Sequence, residues 1–186
     1  MIITLAGYPG AGKTTVKDIL AKRLGYKSYS MGDLRGKMAI SRGITIDELN
    51  EIGMQDPSTD KDADAFQIEL AKAEDNFIID GWLSWHFIPQ SFKVFLNIDP
   101  AIGAKRILAE RQQTNNREDE RAYATVEEAQ KALENRVNQS KERYKKWYNA
   151  DFSDLGHYDL VIDTANLTPT EVTEQILKNL PTPATA

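Results

Sequence analysis

Apolar residues fall along this chain in two alternating patterns. Short unbroken runs at Ile2-Ile-Thr-Leu-Ala6, Phe77-Ile-Ile79, Val94-Phe-Leu-Asn-Ile98 and Tyr158-Asp-Leu-Val-Ile162 have the length of buried strands, and Tyr26 to Ser30 reads as a fifth. Between them apolar positions recur at helical spacing: Val16, Ile19, Leu20 and Leu24; then Val126, Ala129, Leu133, Val137 and Tyr144; then Val172, Ile176 and Leu180. Capping signals bound the helices. Gly25 is a C-cap, and Ser30-Met-Gly-Asp33 opens a helix to about Arg42. Thr45-Ile-Asp-Glu48 is a capping box for a helix over 46–54. After the turn Asp56-Pro57-Ser58-Thr59, a charge-rich helix runs from about Asp60 to Ala73. Asp99-Pro100 heads a helix to about Gln113, Thr125-Val-Glu-Glu128 opens a long one, and Thr168-Pro-Thr-Glu171 caps the last. Strands that alternate with helices predict an α/β fold: a five-stranded parallel sheet covered on both faces, with ligands outside the carboxyl ends of the strands.

Two stretches fit that sheet poorly. Residues 31–75 form a helical excursion between strands, and 114–124 is polar, charged and without periodicity. An excursion to hold an acceptor and a flap to close over a donor and exclude water suit a phosphotransferase. No internal repeat or linker divides the chain. The expectation is one domain over 1–180, with 31–75 as the acceptor-binding segment and 114–124 as the lid, followed by a disordered tail at 181–186.

Composition narrows the chemistry. With 186 residues and a formal charge of −5, the chain lacks the basic excess of a protein that binds a nucleic acid polymer. Cys 0 excludes disulfides and thiolate metal sites, and suits a reducing cytoplasm; His 2 argues against a histidine-rich metal centre. The first apolar run has no basic region before it and is a strand rather than a signal peptide, and no run approaches a membrane span.

Gly7-Tyr-Pro-Gly-Ala-Gly-Lys-Thr-Thr15 lies between the first strand and the first helix, and Gly7, Gly12, Lys13 and Thr14 fit G-x-x-x-x-G-K-[ST]. Glycines let backbone N–H groups curl around a phosphate, while the helix N-terminus adds its positive end. Gly10, Ala11 and Thr15 complete the cradle for ATP. Lys13 reaches the β- and γ-phosphates, and Thr14 takes a position on Mg²⁺. Asp80, closing a buried strand beside this loop, holds the same Mg²⁺ through water, against the alternative of a turn aspartate. Arg111, Arg117 and Arg121 crowd one helix end and the flap, either to neutralise a transferring phosphoryl group or as a solvated charged surface. Arg136 and Arg143 share a helix face, as lid arginines or as partners in surface salt bridges. Asp60, Asp64 and Gln67 share another face, where a carboxylate can accept from the exocyclic amine of a base or merely meet solvent. Trp82, Trp85 and Phe87 are either base-stacking or core aromatics, and His86 and His157 are structural. A GTPase base-reading Asn-Lys-x-Asp is absent.

The chain from Ile2 to about Leu180 resembles the P-loop nucleoside monophosphate kinases, and is most similar to the short cytidylate kinases of archaeal type. The resemblance lies in the phosphate loop, Met31-Gly-Asp-Leu34, Asp56-Pro57 with Asp60, Asp64 and Gln67, Asp80-Gly81, Arg143-Tyr144 with Tyr148, and the segment from Asp151 to Thr164. It implies a sheet in the order 2-3-1-4-5, an arginine-bearing lid, and Mg²⁺-dependent transfer from ATP to CMP or dCMP. Asp33, Arg35 and Gly81 join Asp60, Asp64 and Gln67 as acceptor-binding residues. A small-molecule kinase with another acceptor, or a weakly active nucleotide-binding homologue, is the alternative. Such a kinase acts on small nucleotides, away from membranes, as a cytoplasmic monomer. Two positions depart from the family's pattern: Gly36 and Trp82 stand where arginines for the acceptor phosphate are usual, and Arg35 is one position short of the first.

Overall fold

A computed structural model describes residues 1–113 and 123–181; for Gln112 and Gln113 only the backbone is considered. Five strands form one parallel sheet in the order β2-β3-β1-β4-β5. They are β1 (Ile2–Gly7), β2 (Lys27–Ser30), β3 (Phe77–Asp80), β4 (Phe92–Asn97) and β5 (Leu160–Asp163). This is the order that the resemblance implies. The central strand β1 pairs with β3 on one side and β4 on the other, which sets Leu5 opposite both Asp80 and Val94.

Strand periodicity divides the core. Ile3 and Leu5, with Ile78, Leu96 and Ile162, face α1 (Lys13–Leu24) and α8 (Pro169–Asn179), whose Val16, Leu20, Val172 and Ile176 are buried against them. Ile2, Phe77 and Ile79 face the other way, toward Met31 of α2 (Met31–Ser41) and Leu70 of α4 (Ser58–Ala73). Farther along that face, Ala6 and Phe95 meet Phe152 and a cluster of aromatics. Helices α3 (Ile46–Gln55), α6 (Pro100–Gln113) and α7 (Val126–Tyr148) complete the frame around the carboxyl edge of the sheet. Among the described residues no helix is long and apolar enough to cross a membrane.

The caps explain why the helices begin where they do. Thr45 with Glu48, and Thr168 with Glu171, form reciprocal capping boxes, each satisfying two otherwise orphaned N–H groups. Ser30, Thr125 and Asp99 accept from first-turn amides of α2, α7 and α6. Gly25 ends α1 in the left-handed conformation.

Some boundaries differ from expectation, for local reasons. β4 begins at Phe92 rather than Val94, because Lys93 interrupts an apolar run that pairing with β1 nonetheless extends. The last strand begins at Leu160 rather than Tyr158, whose N–H closes a 3₁₀ turn over Leu155–His157 instead. α4 starts two residues early, at Ser58, where the Asp56 carboxylate accepts from the Ser58 amide. A short helix, α5 (Ser84–Phe87), was not expected from the aromatic run there.

Candidate active site

The glycine loop joins the carboxyl end of β1 to α1, and its conformation rests on backbone contact. Gly10 adopts φ +79, and a Cβ there would lie 2.4 Å from the carbonyl oxygen of Gly103 on α6. Gly103 is bare for the reciprocal reason, since its Cβ would lie 2.6 Å from the Pro9 oxygen. Two glycines thus let the loop press onto the first turn of α6. Gly12, at φ +84, has open space where its Cβ would be, and it heads α1 without a side-chain cap. The N–H groups there are left for an anion.

The Lys13 ammonium donates to the Gly7 carbonyl at 3.0 Å and to the Tyr8 carbonyl at 2.9 Å, which holds it along the loop. The Gly7 carbonyl also accepts from the Trp82 indole N–H at 2.8 Å. Trp82 lies flat on Phe152, with centroids 4.6 Å apart, while Trp85 stacks on His157 and Phe87 meets Tyr148 edge-on. These aromatics therefore pack mainly on one another.

Asp80, at the end of β3, reaches the same side of the loop. Its Oδ2 accepts from Ser30 Oγ at 3.3 Å, and its Oδ1 lies 3.2 Å from the ammonium of Lys17. Burial pushes the Asp80 carboxyl above its ordinary value, against the pull of Lys17 and Lys13. Lys17 is only 5% exposed. It stands one helical turn beyond Lys13, a placement the sequence reading missed, although i, i+4 spacing was the available signal.

A cleft of about 750 Å³ runs from this loop across to α2, α3 and α7. It is lined by Gly10 to Thr15, Asp33, Arg35, Asp80, Gly81, Arg111, Arg136 and Arg143, all sequence-predicted site residues. Among the described residues, two lysines and five arginines line it, against two aspartates and one glutamate, in a chain whose formal net charge is −5. Gly7 contributes through its carbonyl at the strand end. Arg117 and Arg121, and most of the expected lid, lie outside the described residues. Arg111 lies 4.8 Å over the ring of Tyr123. Arg106, which the sequence reading passed over, donates to the Thr164 and Ala165 carbonyls beyond β5.

The far wall is built from side chains. Arg143 is 1% exposed and Asp60 3% exposed. Asp60 pairs with Arg35 through Oδ1, and its Oδ2 lies 3.3 Å from Arg143 Nε. Asn50 Oδ1 accepts from both arginines, at 3.1 Å from Arg35 and 2.8 Å from Arg143. Gly53 makes room for this: a Cβ there would lie 3.1 Å from Arg143 Cδ. Burial first, and the Arg143 charge next, lower the Arg35 pKa to about 10, so it remains a cation at neutral pH. Asn50 was not anticipated, because nothing local marks it.

Beside this wall is an annex of about 30 Å³, lined by Arg35, Asp60, Asp64, Gln67, Gly81 and Trp82 among others. Asp64 accepts from the Tyr148 hydroxyl, and burial raises its pKa. Gln67 donates to the Ala63 carbonyl at 3.3 Å and accepts from Ser84 at 2.6 Å. A Cβ at Gly81 would lie 2.4 Å from Ser84 Oγ and 2.9 Å from Met31 Cγ, so both side chains use the space it leaves. Asp60, Asp64 and Gln67 thus face inward from α4, rather than forming a solvated face.

Comparison with known proteins agrees with this geometry. The model of the cytidylate kinase-like family matches residues 2–166. A protein named cytidylate kinase from Methanocella arvoryzae is 35% identical over 178 residues, covering 96% of this chain and 95% of that one. Another of that name, from Halobacterium salinarum, is 33% identical over 181 residues, covering 95% and 88%. Among solved structures, a shikimate kinase from Bacteroides thetaiotaomicron superposes with a TM-score of 0.60 at 18% identity, covering 96% of each chain, a likeness of fold. A phosphate-cradling loop facing buried arginines across one cleft is the arrangement of a nucleotide or small-molecule kinase, and the chain belongs to the cytidylate kinase-like family.

Proposed function

We propose that the protein transfers the γ-phosphoryl group of ATP, as its Mg²⁺ complex, to a nucleoside monophosphate, with CMP and dCMP the preferred acceptors. The observation that supports this most is the excess of cations in one cleft of an acidic chain, grouped at two ends. One end suits a polyphosphate: glycine N–H groups, a helix N-terminus and Lys13. The other suits a single phosphate dianion, because two buried arginines are paired directly with one carboxylate and both also line the open cleft.

In the transfer, an oxygen of the acceptor's phosphate bonds to the γ-phosphorus. The bond from that phosphorus to the β,γ-bridging oxygen breaks, and ADP leaves with the electron pair. Lys13, Arg136 and Arg111 neutralise charge along that path, with Arg117 and Arg121 brought in by the lid at 114–124. Thr14 and Asp80 offer hard oxygen donors on one side of the loop, a set that fits an ion held mostly by phosphates and water. A bound Mg²⁺ supplies charge neutralisation. Arg35 and Arg143 hold the acceptor phosphate, Asp33 borders it, and Asp64 with Gln67 reads the cytosine edge in the annex. The remaining parts of the reading are one domain over 1–180, with 31–75 as acceptor segment, working as a cytoplasmic monomer.

Trp82 favours a second reading. Spent on Phe152 and the Gly7 carbonyl, it brings no charge to the position after Gly81, as an acceptor without a phosphate would allow. The test is ADP release from ATP and Mg²⁺ with each ribo- and deoxyribonucleoside monophosphate, and with unphosphorylated hydroxyl acceptors. The proposal expects CMP and dCMP to lead. Release with hydroxyl acceptors alone would overturn it.

A further inference from the structure

The four-residue wall of the acceptor end carries more than a place for a phosphate. Asp60 presents its two oxygens to two arginines, Oδ1 to Arg35 and Oδ2 to Arg143. An acceptor phosphate would do the same, since guanidinium pairs select anions with two oxygens side by side. The carboxylate belongs to α4, whereas its partners come from α2 and α7, so the ion pairs fasten α4 to both helices. The annex that this fastening closes measures about 30 Å³. That is room for roughly two waters rather than a pyrimidine ring. In this conformation, therefore, the annex is closed to a base, and Asp60 takes one side of the two arginines, whose other side lines the wide cleft.

We propose that Asp60 is an internal stand-in for the acceptor's phosphate, a latch that holds α4 closed on Arg35 and Arg143 until an incoming monophosphate exchanges for it. The inference rests on the reading of this wall as the acceptor-phosphate seat. Exchange of one anion for another avoids leaving two buried arginines uncompensated at any point, which would be costly. Asn50 stays bonded to both guanidinium groups throughout and keeps them aligned. Release of Asp60 lets α4 move off and opens the annex to the base. The latch makes Asp60 a competitor of the phosphate. A carboxylate that only orients the arginines would be its helper, so the two roles predict opposite signs.

The experiment uses the full chain with its glycine loop filled by saturating ADP and Mg²⁺, and titrates inorganic phosphate calorimetrically into wild type and Asp60→Asn. Asparagine keeps the shape and removes the charge. The latch predicts phosphate binding tighter by about tenfold or more in the variant, the size of effect expected for removing a like charge a few ångströms away. Equal or weaker binding in a variant that melts cooperatively overturns it. If Asp60→Asn does not fold, hydrogen exchange on the wild type decides: phosphate should speed exchange of the α4 amides, and slower or unchanged exchange overturns the latch. Phosphate that binds neither protein also overturns it. ADP that fails to bind indicts the kinase reading instead.

Discussion

The two ends of the cleft are built in different ways. The donor end is made of backbone: Gly10 against Gly103, Gly12 at the head of α1, and Lys13 bonded to the loop's own carbonyls. Its parts lie within one short segment, apart from Gly103. The acceptor end is made of side chains from four helices: Arg35 on α2, Asn50 on α3, Asp60 on α4 and Arg143 on α7. A backbone site is rigid and tolerates little change at its glycines. A side-chain site is held by mutual neutralisation, so each member's loss exposes another. Loss of a charge at the donor end should therefore show in chemistry, with stability at risk only at its glycines, whereas loss of a charge at the acceptor end should show in stability as well.

The largest expected effect sharpens the donor side. Lys13→Ala should lower turnover on the order of 10³-fold with little change in melting temperature, since it removes a charge felt mainly in the transition state. Steady-state kinetics beside a thermal melt check this. Gly10→Ala comes next. With φ +79 and a carbonyl 2.4 Å from the new Cβ, the loop must leave α6, at a cost of about 2–3 kcal/mol, and ATP affinity should fall with it. Chemical denaturation and nucleotide titration read the two effects. A Gly10→Ala protein that is stable and binds ATP normally would break the idea of a backbone-built donor site.

Arg143→Ala addresses the other side. It strands the Asp60 Oδ2 side of a buried carboxylate and empties space against Gly53, so it should cost about 3 kcal/mol of stability as well as acceptor affinity. Loss of activity at full stability would mean that the wall is not held by mutual neutralisation.

This contrast also explains what was legible in the sequence. The loop and the caps at Thr45, Thr125 and Thr168 could be read because each depends on neighbours in sequence, and the alternation of strands and helices gave a parallel sheet, whose order came from the family resemblance. Asn50 could not be, since it meets Arg143 across 93 residues and carries no local mark. Asp60, Asp64 and Gln67 were read correctly as one helix face, but periodicity does not say whether that face meets solvent or a wall of arginines. The roles of Lys17 and Trp82 were hidden in the same way: one pairs with Asp80 and the other bonds to the Gly7 carbonyl, both through the fold.

The smallest expected effect concerns the support of the acceptor wall. Thr45→Ala removes the capping box of α3, which carries Asn50, and should lower the melting temperature by a few degrees at neutral pH. Bonds from Thr45 hold the Glu48 pKa below its ordinary value of 4.5. A depressed carboxyl contributes stability above its unfolded pKa and loses it as pH falls through the folded one. The gap between wild type and Thr45→Ala should therefore narrow as melts are taken from neutral pH to below about 4. A gap that does not change with pH would remove Glu48 from the support of this wall.

The central claim is that the two ends face each other as donor and acceptor in one phosphoryl transfer. A bisubstrate compound joining adenosine and cytidine through five phosphates tests it most directly, by calorimetric titration beside ADP and CMP separately. If both ends are engaged at once, the compound should bind on the order of 10²-fold or more tighter than either nucleotide, and Arg143→Ala should erase that gain. Binding no tighter than ADP, with the same affinity in Arg143→Ala, would contradict the account.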